Sequence, residues 1–141
     1  MDAAERRRLE AAYLATDYVV DDPRLRCLLA VDRVSTPLAQ WLRAQGHDCA
    51  AFITAWNPRS LSCSEADNLF AQQQLRAAIR ALDLQALEAV GRSRVDDYRE
   101  PSLLVPGLPL EAAQALMRRF AQNAFLWCDA QACPRLHWTG L

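Results

Sequence analysis

Apolar residues recur along this chain in two patterns, one helical and one strand-like. After Ser62, Leu75, Ile79 and Leu82 share one side of a helix. The run from Cys49 to Trp56 is nearly all apolar, which is typical of a buried strand. Read throughout, the pattern predicts helices over 2–14, 36–46, 62–82 and 109–120, and strands over 17–20, 25–31, 49–56, 86–92, 100–105, 123–128 and 136–138.

Capping residues mark the ends of two of these helices. Thr36 followed by Pro37 predicts an N-cap and a first helical residue, and Gly46 predicts the end of that helix. Ser62 and Glu65 have the spacing of a capping box, which would open the long third helix.

The order of elements indicates the fold class. Strand–helix–strand units mixed with hairpins favour a mixed β-sheet with packed helices. We therefore expect an α+β fold, with α/β as the alternative, in a single two-layer domain. The domain would span residues 1–141, with an N-terminal helix (1–14) and a core (17–138), because no linker or repeat divides the chain.

Composition narrows the classes of function. The chain of 141 residues has a net charge of −1, which disfavours nucleic-acid binding. All 16 basic residues are Arg, and this excludes a Schiff-base lysine and a P-loop lysine. No stretch is long and apolar enough to predict a membrane span or a signal peptide, so we expect a cytoplasmic protein without a membrane partner.

Signals for metal and nucleophilic chemistry are weak. Cys128, Cys133 and His137 fall within ten residues, but no fourth ligand is near, so no metal site is predicted. The chain has neither a GxSxG motif nor a glycine-rich phosphate loop. The sequence does not indicate a cofactor, so whether the protein uses one, and which, stays unknown.

Polar residues follow the buried third strand. Thr54 and Asn57 lie at its end, and Asn68 lies on the inward face of the next helix, seven residues before Leu75. A buried amide needs hydrogen-bond partners, because an unpaired one costs about 1–3 kcal/mol. This cluster would either bind a ligand or hold the loop between Asn57 and Ser62 internally.

Glu100 is the only residue of the candidate site that can act as an acid or a base. It enters a buried strand and is followed by Ser102, with Tyr98 just before it. A carboxylate at such a place is either paired with an Arg in a structural ion pair or available for proton transfer. The abundance of Arg favours the ion pair.

The remaining candidates are two guanidinium groups and two amides. Arg59 and Arg119 could anchor a carboxylate or a phosphate. Gln122 and Asn123 lie at a helix-to-strand junction, where short amides often cap the backbone.

These motifs together resemble a known family. The string Thr54-Ala-Trp-Asn-Pro58, then Asn68, Glu100-x-Ser102 and Phe120-x-Gln-Asn-Ala124 are similar to the bacterial domain-of-unknown-function family 3293, over about Tyr18 to Trp138. Two positions depart from it: Tyr98 stands at a family Trp, and Ala121 at a family Gly. The resemblance implies no activity, substrate or cofactor, but its motif positions coincide with the polar clusters.

Two functions follow as hypotheses. The first is a small-molecule-binding protein or small enzyme, with a polar pocket for an anionic or nucleotide-like ligand and Glu100 as the catalytic residue. The second is a non-catalytic interaction module in which the same residues form an internal hydrogen-bond network. Whether the protein is an enzyme, and its oligomeric state, stay open.

Overall fold

The computed structural model describes residues 1–141, and its elements follow the order predicted from the sequence. A short 3₁₀ turn at Pro58–Ser60 is the one addition. The helices are α1 (Ala3–Leu14), α2 (Thr36–Gln45), α3 (Glu65–Ala81) and α4 (Leu110–Arg119), and the strands are β1 (Thr16–Asp22), β2 (Leu25–Leu29), β3 (Cys49–Ile53), β4 (Leu87–Ser93), β5 (Arg99–Pro106), β6 (Ala124–Asp129) and β7 (Arg135–Trp138).

The two predicted N-caps are shifted by one and two residues. Ser35, rather than Thr36, caps α2 by accepting the N–H of Leu38. Ser64, rather than Ser62, caps α3. The chain before Ser64 is still part of the preceding loop, which explains the second shift. Gly46 ends α2 in the left-handed conformation as predicted, with φ 77°.

All seven strands form one sheet in the order β2-β1-β4-β5-β3-β6-β7. Every neighbouring pair is antiparallel, so the expected mixed sheet is wrong in this respect. The reason is that each helix between two strands connects strands that are not neighbours: α2, for example, joins β2 to β3, and three other strands lie between these two in the sheet. The α+β class itself is confirmed, and the α/β alternative does not apply.

The sheet is covered by helices on both faces, which corrects the expected two layers. Side chains alternate along β3, so that Ala50 and Phe52 face α2, while Ala51 and Ile53 face α3 and α4. Leu38 is 0% exposed in the α2 cluster, and burial of such a side chain contributes about 1.5–3 kcal/mol. The opposite cluster contains Leu75, Ile79, Ala113, Leu116 and Met117.

Helix α1 covers one end of the sheet, and none of its residues is fully buried. The carbonyl of Tyr13 accepts from the hydroxyl of Tyr18 at 2.9 Å, and the carbonyl of Leu14 accepts from Arg94 at 2.6 Å. The guanidinium of Arg6 lies 4.5 Å from the ring centre of Trp138. No helix in the structure has the length and apolarity that a membrane crossing requires.

Candidate functional site

A cavity of about 340 Å³ lies between α1 and the end of the sheet. Glu100 and Ser102 reach it because they alternate along β5 with Pro101 and Leu103, and so share the sheet face of Leu104. Most of its walls are apolar or aromatic, including Leu9, Ala12, Phe52, Leu126 and Leu136, whereas its polar side includes Tyr13, Thr54, Asn57, Asp96, Tyr98, Glu100, Ser102 and Gln122.

A chain of hydrogen bonds leads from α3 to the carboxylate of Glu100, and we call it the amide chain. The backbone N–H of Asn57 donates to Oδ1 of Asn68 at 2.8 Å, and Nδ2 of Asn68 donates back to Oδ1 of Asn57 at 2.8 Å. Nδ2 of Asn57 donates to the hydroxyl of Tyr98 at 2.9 Å. The hydroxyl of Tyr98 in turn donates to Oε1 of Glu100 at 2.8 Å.

The direction of every bond in the amide chain is fixed by backbone groups. The N–H groups of Asn57 and Cys63 can only donate, so the side-chain atoms that face them must be the oxygens of Asn68 and Asn57. Each Nδ2 then points onward, and the proton of Tyr98 is left to face Glu100. Oε1 of Glu100 is therefore held as an acceptor.

Burial dominates the electrostatics of Glu100. It raises the pKa of this carboxyl to about 7, although the hydrogen bond from Tyr98 works in the opposite direction. None of the five ion pairs involves Glu100, so the expected pairing with an Arg is wrong. Oε2 accepts no bond from the protein, and since no buried side-chain oxygen lacks a partner, Oε2 faces accessible space at the cavity.

The negative charge of Glu100 also affects the pKa values of two neighbouring tyrosines. Burial, followed by the charge of Glu100, raises the pKa of Tyr13 to about 12. The same two causes, in the same order, raise the pKa of Tyr98. Both hydroxyls therefore stay protonated at neutral pH and remain able to donate hydrogen bonds.

A second network ties β3 to β5 and α3. The hydroxyl of Thr54 donates to the carbonyl of Pro101 at 2.7 Å, and Nε2 of Gln72 donates to the same carbonyl at 3.2 Å. Oε1 of Gln72 accepts the N–H of Ala55 at 2.9 Å. The oxygen of Thr54 accepts the N–H of Trp56 at 3.1 Å, so the side chains of Gln72 and Thr54 pair the first two N–H groups after Thr54.

Gln122 and Asn123 hold the loop after β3 from the other side. Nε2 of Gln122 donates to the carbonyl of Trp56 at 3.0 Å, and Nδ2 of Asn123 donates to the hydroxyl oxygen of Ser60 at 2.9 Å. The N–H of Arg59 donates to the carbonyl of Ala121 at 2.7 Å.

Unusual backbone angles cluster where these segments meet. Asn57, Arg59, Ser60 and Ala121 have φ values of 45°, 58°, 60° and 55°. The left-handed region costs a residue with a Cβ about 1–2 kcal/mol, and glycine avoids this cost. The angle at Ala121 thus explains why glycine suits this position in the family that the sequence resembles.

The structure divides the residues predicted from sequence into three groups. Four of them line the cavity beside Glu100: Thr54, Asn57, Ser102 and Gln122. Asn68 and Asn123 are buried behind that lining and orient it. Arg59 and Arg119 are exposed and do not line the cavity.

Sequence reasoning missed two residues that the structure brings into the site. Gln72 is only 4% exposed and pairs the end of β3. The sequence does indicate that Gln72 is buried, since it lies four residues after Asn68 and three before Leu75 on the same helical face. Tyr13 lines the cavity from α1, and nothing in its local sequence indicates that it lies near a carboxylate.

The cysteine and histidine residues near the end of the chain do not gather into a ligand set. No three His, Cys, Asp or Glu side chains are arranged so that they could hold a metal ion. His137 instead stacks on Phe125, with ring centres 5.6 Å apart.

Comparison with known protein families gives a match that includes the candidate site. Residues 53–125 match a family described as "Protein of unknown function (DUF3293)". No curated protein and no solved structure matches the chain. The matched range covers half of the chain, from the end of β3 through the amide chain and Gln122 to the start of β6. The chain therefore belongs to the DUF3293 family.

Proposed function

We propose that this protein binds a small organic molecule in the cavity below α1. The cavity carries the proposal, because its volume of about 340 Å³ is in the range typical of small-molecule sites. Apolar walls would hold the body of the ligand, and Glu100 with the tyrosine hydroxyls would orient its polar group.

The charges around the cavity favour a neutral or cationic ligand over the anionic or nucleotide-like one expected from the sequence. No Arg or His lines the cavity, whereas Asp96 and Glu100 do. Arg59 and Arg119, the candidate anion anchors, lie outside it. A phosphate placed beside Glu100 would meet a second negative charge with no cation between them.

Proton transfer by Glu100 is a second candidate function. A carboxyl with a pKa of about 7 populates both protonation states at neutral pH, which suits a general acid or base. Oε2 is the reactive oxygen on this proposal, because Oε1 is occupied by Tyr98.

The alternative of an internal network accounts for part of the same residue set. Asn68, Gln72 and Asn123 bond only within the protein, and their role is structural. In our proposal, this network positions the polar side of the cavity. A pure interaction module would leave the cavity and the unpaired oxygen of Glu100 without a role.

A cytoplasmic location also belongs to this proposal. All five cysteines are free, including the buried Cys49 and Cys128. Unpaired buried thiols fit a reducing compartment.

A ligand screen with a blocked cavity tests the proposal. Ala12 lines the cavity from α1, so Ala12→Trp should fill it, while Ala11→Trp on the same helix should not. We expect thermal-shift hits from a fragment library to persist in Ala11→Trp and to disappear in Ala12→Trp. A ligand at 100 times its Kd stabilises by about 2.7 kcal/mol, which such an assay detects. Hits that survive in Ala12→Trp would place the ligand elsewhere and refute the cavity as the site.

A further inference from the structure

We propose that the ligand of this cavity is an organic ammonium cation with an apolar or aromatic body, and that Glu100 is its counter-ion. The inference rests on the proposed function and specifies the class of ligand. Three independent observations support it: the missing counter-ion, the fixed direction of the amide chain, and the aromatic walls.

Glu100 lacks a positive partner inside the protein. A carboxylate that is removed from water is normally paired with a cation or heavily hydrogen-bonded. Here Oε1 accepts one bond, and Oε2 accepts none from the protein. Arg94, which lies close to the cavity, is already engaged with Asp17 at 3.0 Å and with the carbonyls of Leu14 and Thr16.

The amide chain makes the site selective for a donor. Because Tyr98 gives its proton to Oε1, the carboxylate of Glu100 presents only acceptor capacity at Oε2. An ammonium group supplies up to three N–H donors and a positive charge, and charge-assisted bonds are roughly twice as strong as neutral ones. A carboxylate ligand would have neither a donor nor a favourable charge.

The aromatic lining suits a cation attached to an apolar body. Rings attract cations over their faces within about 6 Å of the ring centre. Tyr18 and Phe52 pack edge to face, with ring centres 5.2 Å apart, and this fixes one wall. The lining includes four rings on this face of the sheet: Tyr13, Tyr18, Phe52 and Tyr98.

Of Glu100 and the three tyrosines near it, only Glu100 changes its protonation state near pH 7. Tyr98 on β5, Tyr13 on α1 and Tyr18 on β1 all have raised pKa values and stay neutral near pH 7. Asp96 in the loop between β4 and β5 adds a second carboxylate to the lining. An alkylamine, with a pKa near 10.4, stays protonated across this range. Binding should therefore weaken as pH falls through about 7 and Glu100 gains a proton.

Three probes of one shape separate the inference from the proposed function. Phenethylamine, phenethyl alcohol and 3-phenylpropionate share a phenyl ring with a two-carbon chain. The chain ends in a cation, a neutral hydroxyl and an anion, respectively. We expect isothermal titration calorimetry at pH 8 to show the amine binding at least about tenfold more tightly than the alcohol, with no binding of the acid. At pH 5.5 the preference for the amine should shrink several-fold.

Two variants control this experiment. Glu100→Gln keeps the shape of the side chain and should remove the preference for the amine while leaving binding of the alcohol intact. Tyr98→Phe keeps the ring but removes the donor to Oε1. Because that hydrogen bond lowers the pKa of Glu100, the preference for the amine should be lost at a higher pH than in the wild type. A thermal melt of each variant confirms that it is folded.

The outcomes are distinct. Equal binding of the amine and the alcohol, or an amine preference that survives in Glu100→Gln, would overturn the inference and leave the cavity as a neutral-ligand site. Binding of the acid alone would overturn the inference and restore the anionic ligand. No binding of any probe would overturn the inference, and with no hit in the wider screen the proposed function would fail as well.

Discussion

Replacing Asn68 with alanine tests whether the amide chain holds the loop after β3. Asn68 is 2% exposed and exchanges two hydrogen bonds with Asn57, each 2.8 Å long. The variant leaves the N–H of Asn57 without a partner, which costs about 1–3 kcal/mol. Losing the Nδ2 bond costs a further ~0.5–1.5 kcal/mol. The better helix propensity of alanine offsets roughly 0.6 kcal/mol.

The free energy of unfolding should therefore fall by about 1–4 kcal/mol. Equilibrium unfolding in urea measures this loss. If the slope of the free energy of unfolding against urea concentration is unchanged, the variant and the wild type expose the same surface on unfolding. Gln73→Ala is the matched control, since Gln73 is exposed on the same helix and should change stability by no more than about 0.5 kcal/mol. If Asn68→Ala costs no more than this control, the amide chain does not stabilise the loop after β3, and the role that we assign to Asn68 is wrong.

Two other substitutions probe the site. Burial raises the pKa of Glu100 to about 7, so wild-type stability should fall as pH rises from ~4.5 to ~7, where only the folded state still holds the proton. Glu100→Gln should then be more stable than wild type by up to ~3 kcal/mol at pH 8 and nearly equal to it at pH 5. Urea unfolding at both pH values measures this difference. A variant less stable than wild type at pH 8 would argue against a desolvated charge on Glu100. Ala121→Gly should raise stability by about 0.5–1 kcal/mol, because φ 55° suits glycine. Ala115→Gly, inside α4, should lower it by about 1 kcal/mol, and a loss in both variants would contradict this explanation.

The elements of this fold could be read from local sequence, because each depends on periodicity and on a few capping groups. The apolar run from Cys49 to Trp56 contains β3, which ends at Ile53, three residues earlier than predicted, and the stripe of Leu75 and Ile79 is buried as expected. Cap positions were less certain because the candidates lie close together: Ser62 and Ser64 are equivalent as side chains, and the loop geometry selects Ser64. Strand order and the all-antiparallel pairing depend on contacts between distant segments, and no local pattern encodes them.

The candidate site was predictable where polarity conflicts with burial. Asn57, Asn68 and Glu100 stood out because each is polar beside an apolar run, and the structure joins them through Tyr98. The prediction of an ion pair for Glu100 was wrong, because composition tells how many Arg residues the chain has and not where they lie in the fold. Tyr13 could not be identified, since it reaches the site only when α1 folds over β1.

Because no residue of α1 is fully buried, few contacts attach this helix to the rest of the protein. Detaching it breaks a small set of contacts, such as Tyr18 to Tyr13 and Arg94 to Leu14, and leaves both hydrophobic clusters intact. Its amide hydrogens should therefore exchange with solvent through local openings that cost far less than global unfolding, unlike those of α3. Such an opening would widen the way into the cavity, so the rate of access would depend more on how often α1 detaches than on the stability of the whole protein.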